Sequence, residues 1–343
     1  MGENSKILYV GLNEKTIRLL LEEKYFNVIA VADLDIFFVW TFNPVNWLFK
    51  IIYWLRINRK WSFLERYCLF FWTLLKSFSS SIFNKYKDYL ILISKNKLDV
   101  IDFNNASGVA DYIKSNQVDL IVVNTWGMLS EKIIFSPRLG TVNIHPSKLP
   151  QYRGALPTLW TLKNKDKESA VTYIILDKGE DSGKIIGQHI FSVADQDTSL
   201  LLENKIDNVI EKTLTEDLKK YISGEIEPIE QDLSLVSKTV KYEEYREIKW
   251  KDENVRDIYN KINLYPFVEP GIFCYFFVNK RKINIERAGL SFDTAIVNKI
   301  NPGEFSLSGR NLLFRAKDGI IKARMFLDIS FFGSLALIFN KIL

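Results

Sequence analysis

The apolar residues of the chain keep two rhythms. Lys6 to Leu12 is a nearly unbroken β-rich run, and Ile17, Leu20 and Leu21 then recur at helical spacing within Glu14 to Lys24, so the chain is predicted to open as a strand followed by a helix. Phe26 to Ala32 is a second strand-like run. Further apolar runs at Tyr89 to Ile93, Leu120 to Val123 and Thr141 to Ile144 alternate with helix-like segments around Ala106 to Ser115 and Ser130 to Phe135. Strands that alternate with helices predict an open, mostly parallel α/β sheet.

The rhythm changes past Ser223. Residues 225–247 are polar, sustain no apolar period and read as a linker, which closes a first domain over residues 1–224. Beyond it come a helix, about Val255 to Asn263, the turn markers Pro266, Pro270 and Gly271, and the short runs Ile272 to Val278, Lys282 to Ala288, Asn311 to Ala316 and Ile320 to Phe326. Short strands with frequent turns predict a small β-barrel-like domain over residues 248–328. Residues 329–343 are an apolar tail with one late lysine, either a surface anchor or a docked terminal helix.

One stretch fits neither rhythm. Residues 36–85 hold five of the eight tryptophans, and Trp40, Trp47, Trp54 and Trp61 recur every seven residues. Asn43-Pro44 suits an N-cap and first helical position, and Ser62 with Glu65 has capping-box spacing, so the insertion is predicted as a helical hairpin. Ile36 to Leu55 contains a single charge, Lys50, and approaches the length of a membrane span, but Asn43, Pro44 and Asn46 interrupt it. With Arg56, Arg59, Lys60 and Arg66 beside a tryptophan-rich apolar face, it resembles an element lying in the headgroup region. The alternative is a hairpin that caps the domain or makes a homodimer contact.

Composition narrows the function classes. A net charge of +5 from 46 basic and 41 acidic side chains tolerates anionic ligands and gives no reason to expect nucleic acid. Cys68 and Cys274 lie far apart and outside any metal-spaced pair, so neither a disulfide framework nor a metal site is expected, and a reducing compartment fits. The opening residues lack the basic-then-apolar layout of a secretion signal. The expectation is a cytoplasmic protein, with peripheral contact at the inner membrane surface through residues 36–85. The first turn, G-L-N-E-K-T, carries only Gly11, short of the three-glycine dinucleotide fingerprint, so the Rossmann-like sheet is not read as nicotinamide-binding.

The candidate chemistry sits in Asn143 to Gly154, N-I-H-P-S-K-L-P-Q-Y-R-G, which holds one of only two histidines. The strand Thr141 to Ile144 would deliver Asn143 and His145 to the carboxyl edge of the sheet, where open α/β folds place ligands. Residues two apart in a strand point the same way, so both can face one substrate. Pro146 then ends the strand. A third polar group comes from Gly179-Glu180-Asp181-Ser182-Gly183, a loop whose glycines let the backbone bend while presenting Asp181. Each residue also has an ordinary reading: a histidine at a strand end is most often a hydrogen-bonding brace, and a lone turn aspartate a turn aspartate. His189, in I-I-G-Q-H-I-F, has no such company and reads as a strand residue.

The two motifs together, N-I-H-P-S-K-L-P-Q-Y-R-G and L-D-K-G-E-D-S-G-K-I-I, resemble those of the folate-dependent formyltransferases that act on glycinamide ribonucleotide, methionyl-tRNA and nucleotide aminosugars. They stand in the right order, with 36 residues from His145 to Asp181. The resemblance runs more loosely from Lys6 to about Gly224. The stretch I-K-W, I-Y-N-K-I-N and E-P-G-I-F is similar to the second domain of the transfer-RNA and aminoarabinose enzymes, with Asn263 where those relatives usually have arginine and Ile272 where they usually have alanine. The resemblance implies 10-formyltetrahydrofolate as formyl donor and Asn143, His145 and Asp181 as catalytic residues. Asn143 would hold the developing oxyanion, a contact worth about 100- to 1000-fold in rate. His145 would exchange protons near neutral pH, with Asp181 orienting it. Met128, Leu129, Lys178, Gly179 and Glu180 would line the donor, and Ser147, Lys148, Tyr152, Arg153 and Gly154 the acceptor.

Three acceptor readings follow. One is a nucleotide-linked amino-deoxysugar destined for surface polysaccharide. A second is methionyl-tRNA, but phosphate binding calls for a strongly basic surface, and the insertion after the second strand carries aromatics where the transfer-RNA enzymes carry a basic loop. The third is a non-catalytic membrane-associated scaffold. The sugar reading is favoured.

Overall fold

The structure, a computed structural model, describes residues 4–11, 13–32, 88–89, 91–101, 106–125, 129–237, 246–268, 274–278, 281–291, 300–301, 304–308 and 311–325. The predicted hairpin at 36–85 and the tail at 329–343 lie outside them. Among the described residues no helix is long and apolar enough to cross a membrane. Two compact units are present, one of residues 1–154, 168–192 and 205–237, the other of 155–167, 193–204 and 238–343.

The first unit is built on a seven-stranded sheet. Its strands are β1 (Ser5–Gly11), β2 (Phe26–Ala32), β3 (Asp99–Ile101), β4 (Leu120–Asn124), β5 (Thr141–His145), β6 (Glu168–Ile175) and β7 (Ile185–Ser192), in the order β3-β2-β1-β4-β5-β6-β7. The first five are parallel, and β6 and β7 are antiparallel additions at one edge. This is the expected Rossmann-like, mostly parallel α/β sheet. Helix α1 (Glu14–Glu22) starts where the Asn13 side chain accepts the Thr16 N–H at 3.0 Å, an N-cap, and buries Ile17 and Leu20. Helices α2 (Ala106–Asn116) and α3 (Glu131–Ile134) fall where the apolar spacing placed them.

The core is split by the sheet into two faces. Ile7, Tyr9, Leu120, Val122, Val142 and Ile144 belong to one buried cluster, and Leu8, Val10, Ile121 and Val123 to the other. Each buried aliphatic side chain of this kind contributes roughly 1.5–3 kcal/mol.

Three elements differ from the periodicity. Tyr89 and residues 91–93 are helical, not a strand, and the neighbouring strand is β3; short apolar runs suit either state, and here Tyr89, Leu92 and Ile93 are buried from helical positions. A 25-residue helix, α5 (Ser199–Ser223), lies where the sequence predicts no element. Its apolar stripe Ile206, Ile210, Leu214 and Leu218 steps by four through charged sequence and joins the first cluster. Residues 225–237 are built into the first unit, whereas the sequence suggested a linker from 225: Ile229 exchanges both backbone hydrogen bonds with Ile185, at 2.8 Å each.

The second unit carries a five-stranded antiparallel sheet of β8 (Cys274–Val278), β9 (Arg281–Ser291), β10 (Phe305–Ser308), β11 (Asn311–Arg315) and β12 (Ile320–Met325), in the order β10-β11-β12-β9-β8. The Trp250 ring stacks on Phe314 with centroids 4.1 Å apart, and Phe276 meets Phe314 edge-on. The unit also holds α4 (Pro157–Lys163) and α6 (Val255–Val268). Pro266, expected as a turn marker, lies in the last turns of α6, where a proline removes only one intrahelical donor. Asn263 fastens that helix to β9: its Oδ1 accepts the Ala288 N–H at 3.1 Å and its Nδ2 donates to the Ala288 carbonyl at 2.9 Å.

Candidate active site

Strand β5 alternates as its sequence dictates. Val142 and Ile144 enter one core cluster, so Asn143 and His145 face the other side of the sheet, the side of Val123 and Leu129. Asn143 is half-buried and His145 is 4% exposed. The loop between β6 and β7 leaves the sheet beside Val142 and returns at Ile185 beside Ile174, so its middle must reach forward along β5. It does so at Asp181, whose φ of 46° lies in the left-handed region that Asp tolerates better than most residues.

Three chain segments meet at the Asp181 carboxylate. Oδ1 accepts from the Asn143 amide at 3.2 Å, and Oδ2 accepts the Gly154 N–H at 2.9 Å and stands 3.4 Å from His145 Nδ1. The other imidazole nitrogen, Nε2, is 3.0 Å from the Tyr152 carbonyl. A carbonyl oxygen and an ionised carboxylate both only accept, so the ring stands between two acceptors, and Nδ1, beside the carboxylate, is the nitrogen placed to exchange a proton with it or with an entering amine. Gly154, at φ 95°, has the freedom to turn its N–H onto the carboxylate. Gly183 is required for close approach: a Cβ there would stand 1.7 Å from the Ile175 carbonyl oxygen.

The structure places the other expected residues unevenly. Tyr152 and Gly154 touch the centre through their backbone. Arg153 donates from Nε and Nη2 to Gln231 Oε1 at 3.0 and 2.7 Å. Ser147 is fully buried, its hydroxyl donating to the Gln151 carbonyl at 2.8 Å, which braces the loop. Lys148 is paired with Glu168, four residues along β6 from the Thr172 that opposes His145 and so roughly 13 Å away along the strand.

Among the donor-lining residues, Leu129 is half-buried against the cluster on the face of Asn143 and His145, against which Leu176 also packs. Lys178 is exposed and 3.2 Å from Glu131, Gly179 donates its N–H to Asp177 Oδ1 at 2.9 Å, and Glu180 is exposed. Met128 lies outside the described residues. An apolar wall beside an exposed loop backbone fits a flat heteroaromatic donor, which needs stacking area and edge hydrogen bonds.

Two contributors escaped the sequence reading, Gln231 and Ser237, both in the stretch read as linker. A single glutamine among Glu230 and Asp232 carries no periodic signal; only the apolar residues Ile229, Leu233 and Leu235 hint that the stretch is ordered. His189 lies in β7 as expected, with Nε2 at 2.5 Å from Asp217 Oδ2.

An open α/β sheet that brings an amide, an imidazole and a carboxylate together on one face holds the charge-holding and proton-exchanging groups that acyl-type group transfer uses. Comparison with known proteins narrows the chemistry. The family described as "Formyl transferase" matches residues 92–218. The methionyl-tRNA formyltransferase of Kosmotoga olearia is 32% identical over 212 residues, 61% of this chain and 67% of that protein. The chain spans about half the length of further methionyl-tRNA formyltransferases that it matches. In fold it is similar to HypX from Aquifex aeolicus (TM-score 0.58, 12% identity, 93% of this chain and 44% of that one). It is also similar to an N-formyltransferase from Helicobacter canadensis crystallised with folinic acid and dTDP-3-aminofucose (TM-score 0.50, 17% identity, 94% of this chain and all of that one). The chain belongs to the formyl transferase family, as a folate-dependent formyl-transfer enzyme.

Proposed function

We propose that the enzyme moves a formyl group from 10-formyltetrahydrofolate to the amine of a nucleotide-linked amino-deoxysugar, feeding surface polysaccharide. The observation that carries the reaction is that Asn143 Nδ2 and His145 Nδ1 lie 3.2 and 3.4 Å from the two oxygens of the Asp181 carboxylate. Bound folate supplies the activated formyl carbon. Asn143 Nδ2 is the donor for the charge that develops on the formyl oxygen, and it turns from Asp181 to do so. His145 Nδ1 and Asp181 Oδ2 take the proton that the attacking amine loses and return one to the departing nitrogen. Burial of His145 keeps water from competing, and holding both substrates on one sheet face supplies much of the remaining rate.

The sugar is favoured over transfer RNA by the stretch 36–85, which carries aromatic residues where the transfer-RNA enzymes carry a basic loop. The second reading, methionyl-tRNA, is favoured by the sequence relatives. The test is mass spectrometry of a panel of nucleotide aminosugars and charged initiator transfer RNA after incubation with the formyl donor. A formylated sugar supports the proposal; formylated methionyl-tRNA alone overturns it.

A further inference from the structure

Gln231 is 7% exposed and comes from a stretch with no apolar period, so hydrophobic packing does not account for its burial. Its partners do. Nε2 donates to the carbonyl oxygens of Asp181 at 2.8 Å and Gly183 at 2.7 Å, while Oε1 accepts both Arg153 contacts. The amide can sit only one way round, because carbonyls only accept and a guanidinium only donates. Six residues on, Ser237 repeats the theme: its Oγ accepts the Tyr152 N–H at 3.0 Å and its carbonyl accepts the Arg153 N–H at 3.2 Å.

We propose that Gln231 is a positioning residue of the transfer reaction, clamping the Asp181 loop to the Tyr152–Gly154 segment so that the imidazole of His145 is held at both ends. The proposal rests on the formyl-transfer reading above. His145 Nδ1 faces Asp181, and Nε2 faces the Tyr152 carbonyl. Asp181 and Tyr152 sit at positive φ, 46° and 58°, conformations that are strained for a non-glycine residue and persist only when neighbours over-determine them. The donors on the Asp181 and Gly183 carbonyls supply that constraint on one side. The Arg153 contact with Gln231, with Ser237 on the adjoining amides, supplies it on the other. Glutamate in place of Gln231 keeps the length and the Arg153 contact but sets a carboxylate against two carbonyls, so Gln231→Glu opens one half of the clamp. Gln231→Met removes both halves without adding charge.

Because the chain has two histidines, the His145 nitrogens can be read by 15N NMR after assignment with a His189→Asn variant, at a pH where imidazole is neutral. In the wild-type protein they should report one fixed pattern of ring protonation, distinct from the exchange average of free imidazole, because the Tyr152 carbonyl and the Asp181 carboxylate are both held against the ring. In Gln231→Glu and Gln231→Met the two shifts should converge toward those of free imidazole. In the same variants kcat should fall about 10- to 100-fold, with KM for the donor within about threefold, the split expected for lost alignment rather than lost binding. An unchanged ring-protonation signal in both variants overturns the proposal, whether or not kcat moves. If the wild-type protein formylates no acceptor but the ring protonation still depends on Gln231, the functional reading falls and the clamp stands.

Discussion

Asp181 shows how much one side chain is asked to do when a loop must serve a strand. Its carboxylate gathers the Asn143 amide, the Gly154 N–H and the His145 ring, while its backbone takes a left-handed conformation. Replacing His145 with Asn removes the proton-exchanging group together with the ring's contacts to the Tyr152 carbonyl and the Asp181 carboxylate, each worth about 1 kcal/mol. Formyl transfer by His145→Asn should therefore fall about 100- to 10,000-fold while the folded structure is retained, measured by turnover beside circular dichroism. Gly183→Ala is the opposite kind of change. Its Cβ would meet backbone, which cannot step aside, so a loss of about 2–4 kcal/mol is expected in urea unfolding. A midpoint equal to that of the wild-type protein would show that the loop does not pass so close to Ile175.

Elements decide which of these residues can meet. The motif containing Asn143 and His145 was legible because strand alternation and a terminating proline are local signals, readable within six residues. Tyr89 and residues 91–93 are helical but read as a strand in the sequence, because a short apolar run has too few positions to distinguish a period of 2 from one of 3.6. Helix α5 hid its stripe among charges, although Ile206, Ile210, Leu214 and Leu218 are each buried. Leu214, fully buried, packs in the first cluster under the sheet, and Leu214→Ala should cost about 2–5 kcal/mol. Thermal or urea denaturation checks this, and a cost below 1 kcal/mol would mean that the helix does not seal that face.

For the whole molecule, the open question posed by the sequence is the aromatic stretch 36–85, whose tryptophans and basic residues suit a headgroup layer. If it anchors the enzyme near the glycosyltransferases that consume its product, full-length protein should float with anionic liposomes and a variant lacking Asn43 to Phe78 should not. Equal flotation of the two would remove the idea and favour the alternative, a segment that caps the domain or makes a subunit contact.

By itself the sequence determined the parallel sheet, the strand-end placement of Asn143 and His145, and the candidacy of Asp181, because all three follow from short-range pattern and motif. Tertiary structure alone decided that Asp181 reaches back over the sheet, that Ser147 and Lys148 turn to other partners, and that Gln231 and Ser237 tie the two loops together. Gln231 lies 50 residues from Asp181 and 78 from Arg153, and its worth comes entirely from the orientation of an amide between acceptors and donors that only the folded chain assembles.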